Sequence, residues 1–375
     1  MYFLGQAGNY RAGDILRHLF AVGARKSSRN LKSHLAERYG VKRSQVLLYH
    51  TGRTALAAAL KTLVPEGSEV VATSLTCYAV YEAITGAKCQ PVFADVDLNT
   101  LHYGGRELEK VLKAHNNVKA IIIQNNLGIP CDIESIEQVA KKHNLIIIED
   151  LAHCAGVRYK DGREAGTVGA AAALSFGKGK SIDTICGGAL VMRTDAKMPN
   201  TPRKLPKFSD RFRDRFYPLF GAEIRGFYHF GIKAGRVFTS ALIHLGFIKR
   251  SADESLSFNT RLTHWQARLA LRQFMKLPES REPLRRFYFV DDRDKVLNKL
   301  AWRGFIMYDT WYDVPISPER YYKKVGLDES TCPNAVYAAE HIVNLPNHYA
   351  FAELRDARNI IEKYQTNNQI AKEEK

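Results

Sequence analysis

The six cysteines (Cys77, Cys89, Cys131, Cys154, Cys186 and Cys332) contain no CxxC pair. Neither a zinc site nor a disulfide framework is therefore expected, and the chain reads as reduced and cytosolic. Long apolar runs are missing too. The longest uncharged apolar stretch of the C-terminal half, Val237 to Ile248, holds 12 residues and includes His244, whereas a bilayer span needs about 17–25. The opening segment MYFLGQAGNYRAGDILRHLF has no apolar run with a small-residue cleavage site, so secretion is not expected. Internal repeats and low-complexity segments are absent. Acids are scarce: 39 Asp+Glu stand against 55 Lys+Arg, a net charge of +16. That excess permits phosphorylated small molecules, an anionic membrane surface or nucleic acid as partners, and chooses none of them. The chain is rich in apolar side chains, with 45% hydrophobic and 10% aromatic residues among 375. This excludes a disordered chain and suffices for one large domain and a smaller one.

Between residues 45 and 193, β-rich apolar runs alternate with helical patterns, the signature of a parallel sheet with crossover helices. The runs predict strands at 45–48, 69–73, 91–94, 120–123, 145–148, 172–176 and 188–192, with helices at 54–62, 78–85 and 133–143. In the last helix, Ile133, Ile136, Val139 and Ala140 recur at the spacing of one buried stripe. The alternation stops near Thr194. Residues 196–257 carry 12 Lys+Arg and 5 Asp+Glu and interleave the basic residues with aromatics, as in TPRKLPKFSDRFRDRFYPLF. The block closes on a helical pattern with Val237, Ala241, Leu245 and Ile248 on one side and Phe238 and Leu242 beside them. Helices over 262–274 and 282–297, followed by short α/β elements, predict a smaller C-terminal domain. The expected division is 1–257, with the basic block as an insertion at about 196–257, and 258–375. The polar end from Thr366 is expected to fray.

Three segments carry chemistry. IIIEDLAHCAG puts Asp150 at the carboxyl end of an apolar strand, with His153 just after it; ligands of open α/β sheets bind at that end. LSFGKGKSIDTICGGAL ends another strand at Ser175 and Phe176, then sets Lys178 and Lys180 in a glycine-rich turn. LLYHTGRTALAAAL reads as a strand, a Thr51-Gly52-Arg53-Thr54 turn and a helix opening, which offers backbone N–H groups and a positive dipole end to a phosphate. A carboxylate, a lysine and a phosphate cradle are the three parts that pyridoxal 5'-phosphate needs: an acid for the ring nitrogen, an amine for the Schiff base, donors for the phosphate. Gly179-Lys180-Ser181 mimics the tail of a GxxxxGK[ST] phosphate loop, but position 174, where that motif needs glycine, is Leu174.

In this order and spacing the segments resemble the DegT/DnrJ sugar aminotransferases. The likeness runs through TGRTALAAAL, EVVATSLTCYAVYEAITGAKCQPVFADVD, GIPCDIESIEQVAKKHNLIIIEDLAHCAG and GTVGAAAALSFGKGKSIDTICGGALVM, and resumes at FNTRLTHWQARLALRQF and HIVNLPNHY. It implies an α/β fold of the PLP-dependent transferase type (fold type I), with a mostly parallel seven-stranded sheet in the large domain and a smaller α/β C-terminal domain. It implies Lys180 as the Schiff-base lysine, Lys178 being out of register, and Asp150 as partner of the ring nitrogen. His153 falls near the ring hydroxyl, and Ser175 with Gly52, Arg53 and Thr54 falls at the phosphate. Asn259 would reach the phosphate of a neighbouring subunit's cofactor, making a homodimer the catalytic unit, and Arg261 would point into the same site. Three positions depart from the pattern: Arg53 replaces a frequent threonine, Cys77 a ring-stacking aromatic for which Tyr78 is the substitute at hand, and Asn125 a frequent histidine.

The activity implied is transfer of nitrogen from an amino acid, usually glutamate, to a keto-sugar linked to a nucleotide diphosphate, in amino-sugar and polysaccharide synthesis. Dehydratases of the same family carry histidine where this chain has Lys180. A reading from another class is a degenerate cofactor fold that binds an anionic membrane surface or nucleic acid through the basic block. No nucleic-acid motif accompanies that block, and a peripheral contact with the inner membrane face suits it better.

Overall fold

The structure, a computed structural model, describes residues 2–4, 10–278, 282–307, 311–347 and 353–366. The tail from 367, expected to fray, and the last two residues of HIVNLPNHY lie outside the described residues. Seven strands form the central sheet: β1 (Val46–Tyr49), β2 (Glu69–Thr73), β3 (Gln90–Ala94), β4 (Val118–Ile123), β5 (Ile146–Asp150), β6 (Ala171–Ser175) and β7 (Gly188–Met192). Their order is β1-β7-β6-β5-β4-β2-β3. All neighbours pair in parallel except β7, which runs antiparallel to both β1 and β6. The apolar runs are continuous because both faces of this sheet are covered. One face packs Leu31, Leu35 and Tyr39 with Ile121, Ile123, Ile133 and Ile136. The other packs the alanine-rich helix Gly52–Leu63 and Ile84 against Val70, Ile122 and Ile148.

All seven strands and the three helices expected between them are found, shifted by one or two residues at their ends. The expected helix at 282–297 is not. Arg285–Phe289 is a strand, antiparallel to Ile342–Pro346, and the helix begins at Arg293. Asp292 sets that start by accepting the Lys295 N–H at 2.9 Å, a side-chain cap that outweighs the helical spacing of the apolar residues upstream. Helix His264–Phe274, expected in the smaller unit, packs its Ala267, Ala270 and Phe274 into the sheet core beside Leu31 and Leu35. Tyr2–Phe3 pairs with Phe305–Ile306, and Leu4 joins the core of the C-terminal elements with Val296, Leu300 and Leu345.

The basic block contains two helices, Phe208–Tyr228 and Ile232–His244. Leu242 and Ile248 are buried and Phe238 is half-buried, while Val237, Ala241 and Leu245 are exposed. The Val237, Ala241 and Leu245 side of the pattern therefore faces solvent, and Ile248 is buried.

Candidate active site

Strands β5 and β6 are neighbours, and their carboxyl ends bring together residues that the sequence separates by about thirty positions. Glu149 and Asp150 close β5 on opposite faces, as the two-residue strand period requires. Glu149 turns into the core, where its carboxylate accepts N–H groups of Gly166 (2.6 Å), Val168 (2.9 Å) and Gly169 (2.7 Å) and the Tyr159 hydroxyl (2.9 Å). Asp150 is also buried but accepts from the backbone of Ala152 at 3.0 Å. Burial raises its pKa to about 6, against the opposing pull of that N–H.

Lys180 lies in the turn after β6, and its Nζ is 2.8 Å from Nε2 of His153. The other imidazole nitrogen, Nδ1, faces the backbone N–H of Leu127 at 3.1 Å, so Nδ1 accepts and the ring proton sits on Nε2. Nε2–H then donates to Lys180, which requires a lone pair on Nζ. Burial, the leading cause, pushes the His153 pKa well down, with the positive charge of Arg285 adding to it, and keeps the ring neutral. Leu127 can present its N–H because the turn before it is left-handed, with Asn125 at φ 48° and Leu127 at φ 56°.

The helix Gly52–Leu63 supplies the anion cradle. Thr51 is its N-cap, accepting the Thr54 N–H at 3.2 Å, and the N–H groups of Gly52 and Arg53 are left at the positive end of the helix. A Cβ on Gly52 would come within 2.6 Å of the Ser175 Cβ, so glycine is what lets this helix end approach the end of β6. The half-buried Ser175 hydroxyl accepts the Gly177 N–H at 3.4 Å. The donor set fits pyridoxal phosphate: a buried carboxylate with a single backbone donor, a lysine with a lone pair, and a helix terminus beside a serine hydroxyl.

Several expected residues point elsewhere. The Arg53 guanidinium is buried against Glu82 and the carbonyls of Ser251 (3.0 Å) and Glu254, so Arg53 offers a phosphate its backbone N–H and not its charge. Tyr78 stacks on Tyr321 (4.4 Å, 11°) and does not replace the aromatic missing at the exposed Cys77. Asn125 is sealed in the core, donating to the Tyr159 hydroxyl at 3.0 Å and accepting the Cys131 N–H at 2.9 Å. Asn259 is exposed, its side-chain oxygen accepting the Arg203 N–H at 2.9 Å. The Arg261 guanidinium donates to the Leu262 carbonyl at 3.2 Å. Lys178 is buried, with Nζ donating to the Lys249 carbonyl at 2.5 Å and lying 4.4 Å from the Tyr217 ring.

Two residues that the sequence reading missed complete the pocket. The Trp311 ring stacks on His153 (4.4 Å, 23°) and lies 4.6 Å from Lys180 Nζ. The buried Tyr312 phenol is pushed well up by burial, with Cys77 and Asp150 as the neighbouring charges. Both lie in a segment (WYDVP) with no motif to mark it, and Tyr312 is a near neighbour of Cys77.

The chain has relatives of known name. The chain is 39% identical to the GDP-perosamine synthase of Escherichia coli O157:H7 over 141 residues, 37% of this chain and 38% of the relative. It is 30% identical to the GDP-perosamine synthase of Caulobacter vibrioides over 231 residues, 61% of this chain and 58% of that protein. The matched stretches thus span less than two thirds of either relative. A Streptococcus pneumoniae protein described as a sugar aminotransferase, solved in its PLP form, superposes with a TM-score of 0.69 at 18% identity, covering 98% of this chain and all of that one; at that identity it shows the fold. The family model matches residues 18–289, and the chain belongs to the DegT/DnrJ/EryC1/StrS aminotransferase family.

Proposed function

We propose that the chain is a pyridoxal-phosphate-dependent aminotransferase that moves nitrogen from glutamate to a keto-sugar carried on a nucleotide diphosphate, and that it works as a cytoplasmic homodimer in amino-sugar synthesis. Family membership and the two GDP-perosamine synthases support the reaction class. The observation that carries the reading to these residues is the 2.8 Å contact between Lys180 and His153 beside Asp150.

When bound, the cofactor supplies an electron sink for the carbon that gains or loses a proton. Everything else falls to the protein. Lys180 Nζ, holding a lone pair, takes and returns that proton as general base and acid. His153 orients Nζ through Nε2–H, and the Leu127 N–H at Nδ1 opposes a second proton on the ring. Asp150, with a pKa of about 6, is ionised at neutral pH and would hold a proton on the ring nitrogen. The N–H groups of Gly52 and Arg53, with the hydroxyls of Ser175 and Thr54, would hold the phosphate at the helix end. Asn259, on the surface of one subunit, would contribute to the phosphate site of the other. Lysine at position 180 favours amino transfer over dehydration, for which the family uses histidine.

The purified protein is expected to turn yellow with pyridoxal phosphate, to bleach with borohydride, and to carry the label on Lys180 in peptide mass maps. The loaded enzyme, offered nucleotide-linked amino-sugars and 2-oxoglutarate, is expected to form glutamate with at least one of them. A protein that takes up no cofactor, or is labelled at another lysine, overturns the reading.

A further inference from the structure

The helices Phe208–Tyr228 and Ile232–His244 pack as a hairpin across the turn 229–231. One side is held: Ile224, Tyr228, Leu242 and Ile248 form a core with Phe3 and Ile306. The other side is exposed among the described residues. Phe230 is 83% exposed, Val237 70% and Leu245 67%, and Phe212, Phe227 and Phe247 are exposed with them. Single exposed apolar residues are ordinary, but a connected set is the mark of an interaction surface. The exposed rings fall into two connected groups. Phe227 stacks on Phe238 at 3.8 Å and touches Phe230 at 6.3 Å, while Phe212 stacks on Phe216 at 4.4 Å and Phe220 reaches Phe247 at 5.5 Å.

Charge selects the occupant. Helix Ile232–His244 contains no acidic residue, and Lys233 and Arg236 share its exposed side with Val237, Ala241 and His244. We infer that this side of the hairpin docks on the surface of an anionic lipid bilayer. The turn at Phe230, with Val237 and Leu245, enters the headgroup boundary, and Lys233 and Arg236 meet lipid phosphates. Thirteen residues make a helix of about 20 Å, shorter than the hydrocarbon core of about 30 Å, and among the described residues no helix is long and apolar enough to cross a membrane. The helix therefore lies in the plane of the interface. A second copy using the same face would set Lys233 and Arg236 against their own symmetry mates. A nucleic acid would find aliphatic Val237 and Leu245 where stacking needs rings.

The test sediments the cofactor-loaded protein with phosphatidylcholine vesicles and with the same vesicles containing phosphatidylglycerol. Co-sedimentation is expected with the second kind alone, weakening as salt is raised. The pair Phe230→Ser/Leu245→Ser and the pair Lys233→Glu/Arg236→Glu should each lower it by about tenfold or more. All these side chains are exposed, so both variants should keep the wild-type unfolding midpoint, which separates lost docking from lost folding. Cofactor uptake is measured on the same samples, so failure of the aminotransferase reading is scored apart from failure of docking. Absence of vesicle binding, equal binding to both vesicle types, binding unchanged in both variants, or displacement from vesicles by a single-stranded oligonucleotide overturns the inference.

Discussion

The carboxyl edge of the sheet and the hairpin at 208–244 both crowd basic and aromatic side chains, with opposite outcomes. At the sheet edge the rings of Trp311 and His153 are stacked, and Lys180 lies against both. On the hairpin the rings of Phe227 and Phe230 and the charges of Lys233 and Arg236 face outward. The difference lies in the backbone. Parallel strands end side by side and converge their side chains on a point, whereas two short helices present a face. Chemistry needs convergence; adhesion to a broad partner needs area.

Two lysines two residues apart test that contrast most directly. Lys180→Ala removes the nitrogen proposed to move the proton and should lower turnover by about 10³-fold or more, measured as glutamate formed from 2-oxoglutarate, with little change in the unfolding midpoint. Lys178→Ala removes the bond to the Lys249 carbonyl and the contact with Tyr217. It should leave turnover within about twofold and cost about 1–2 kcal/mol of stability. If Lys178→Ala matched Lys180→Ala in lost turnover, the division of labour drawn here would fail.

Glu149 and Asp150 make the same contrast one residue apart. Glu149→Ala leaves three backbone N–H groups and a tyrosine hydroxyl buried without an acceptor. A cost of about 3 kcal/mol or more is expected in denaturant unfolding. Asp150→Ala should instead spare the fold, because its pocket supplies a single backbone donor, and should weaken cofactor retention on dialysis.

The sheet and its reactive edge were readable because a doubly covered parallel strand writes an unbroken apolar run, and a residue ending that run has one place to go. Asp150 and Ser175 were placed at that edge on this basis, whereas the choice of Lys180 over Lys178 and the place given to His153 came from the likeness to the family. Trp311 and Tyr312 were missed, since they reach the pocket from a segment more than one hundred residues downstream that has no periodic pattern of its own. Glu149 was passed over because its partners are backbone groups of Gly166, Val168 and Gly169, which leave no trace in residue type. The second helix of the hairpin was legible as a helical pattern, but not which side of it is covered: Val237, Ala241 and Leu245 have the spacing of an apolar stripe and lie on the surface. Amphipathic spacing records that a helix has an apolar face, and does not say whether protein or another phase covers it.

The smallest expected effect arises at the seam between the two regions, where Asp214 of the hairpin is buried beside Gln266 and His50. Its carboxylate accepts from Gln266 at 3.2 Å and lies 4.0 Å from Nε2 of His50, with Glu254, Asp210 and Lys178 around it. Burial first, then the negative charge of Glu254, raises its pKa to about 8, against the pull of Lys178 and Gln266. The folded chain therefore keeps a proton here that the unfolded chain releases near the ordinary aspartate value of 3.8. The resulting stability is complete below that value and is lost as pH rises through about 8. Asp150 and Glu149 bend the curve in the same direction, so the informative quantity is the difference between wild type and Asp214→Asn, which keeps the polar contact and removes the proton. Thermal unfolding at about pH 5 and about pH 8 should show a wild-type midpoint falling further than the variant's, by about 2 °C or more. Parallel lines for the two proteins would mean that Asp214 is ionised throughout and that the seam, like the outer face of the hairpin, is open to water.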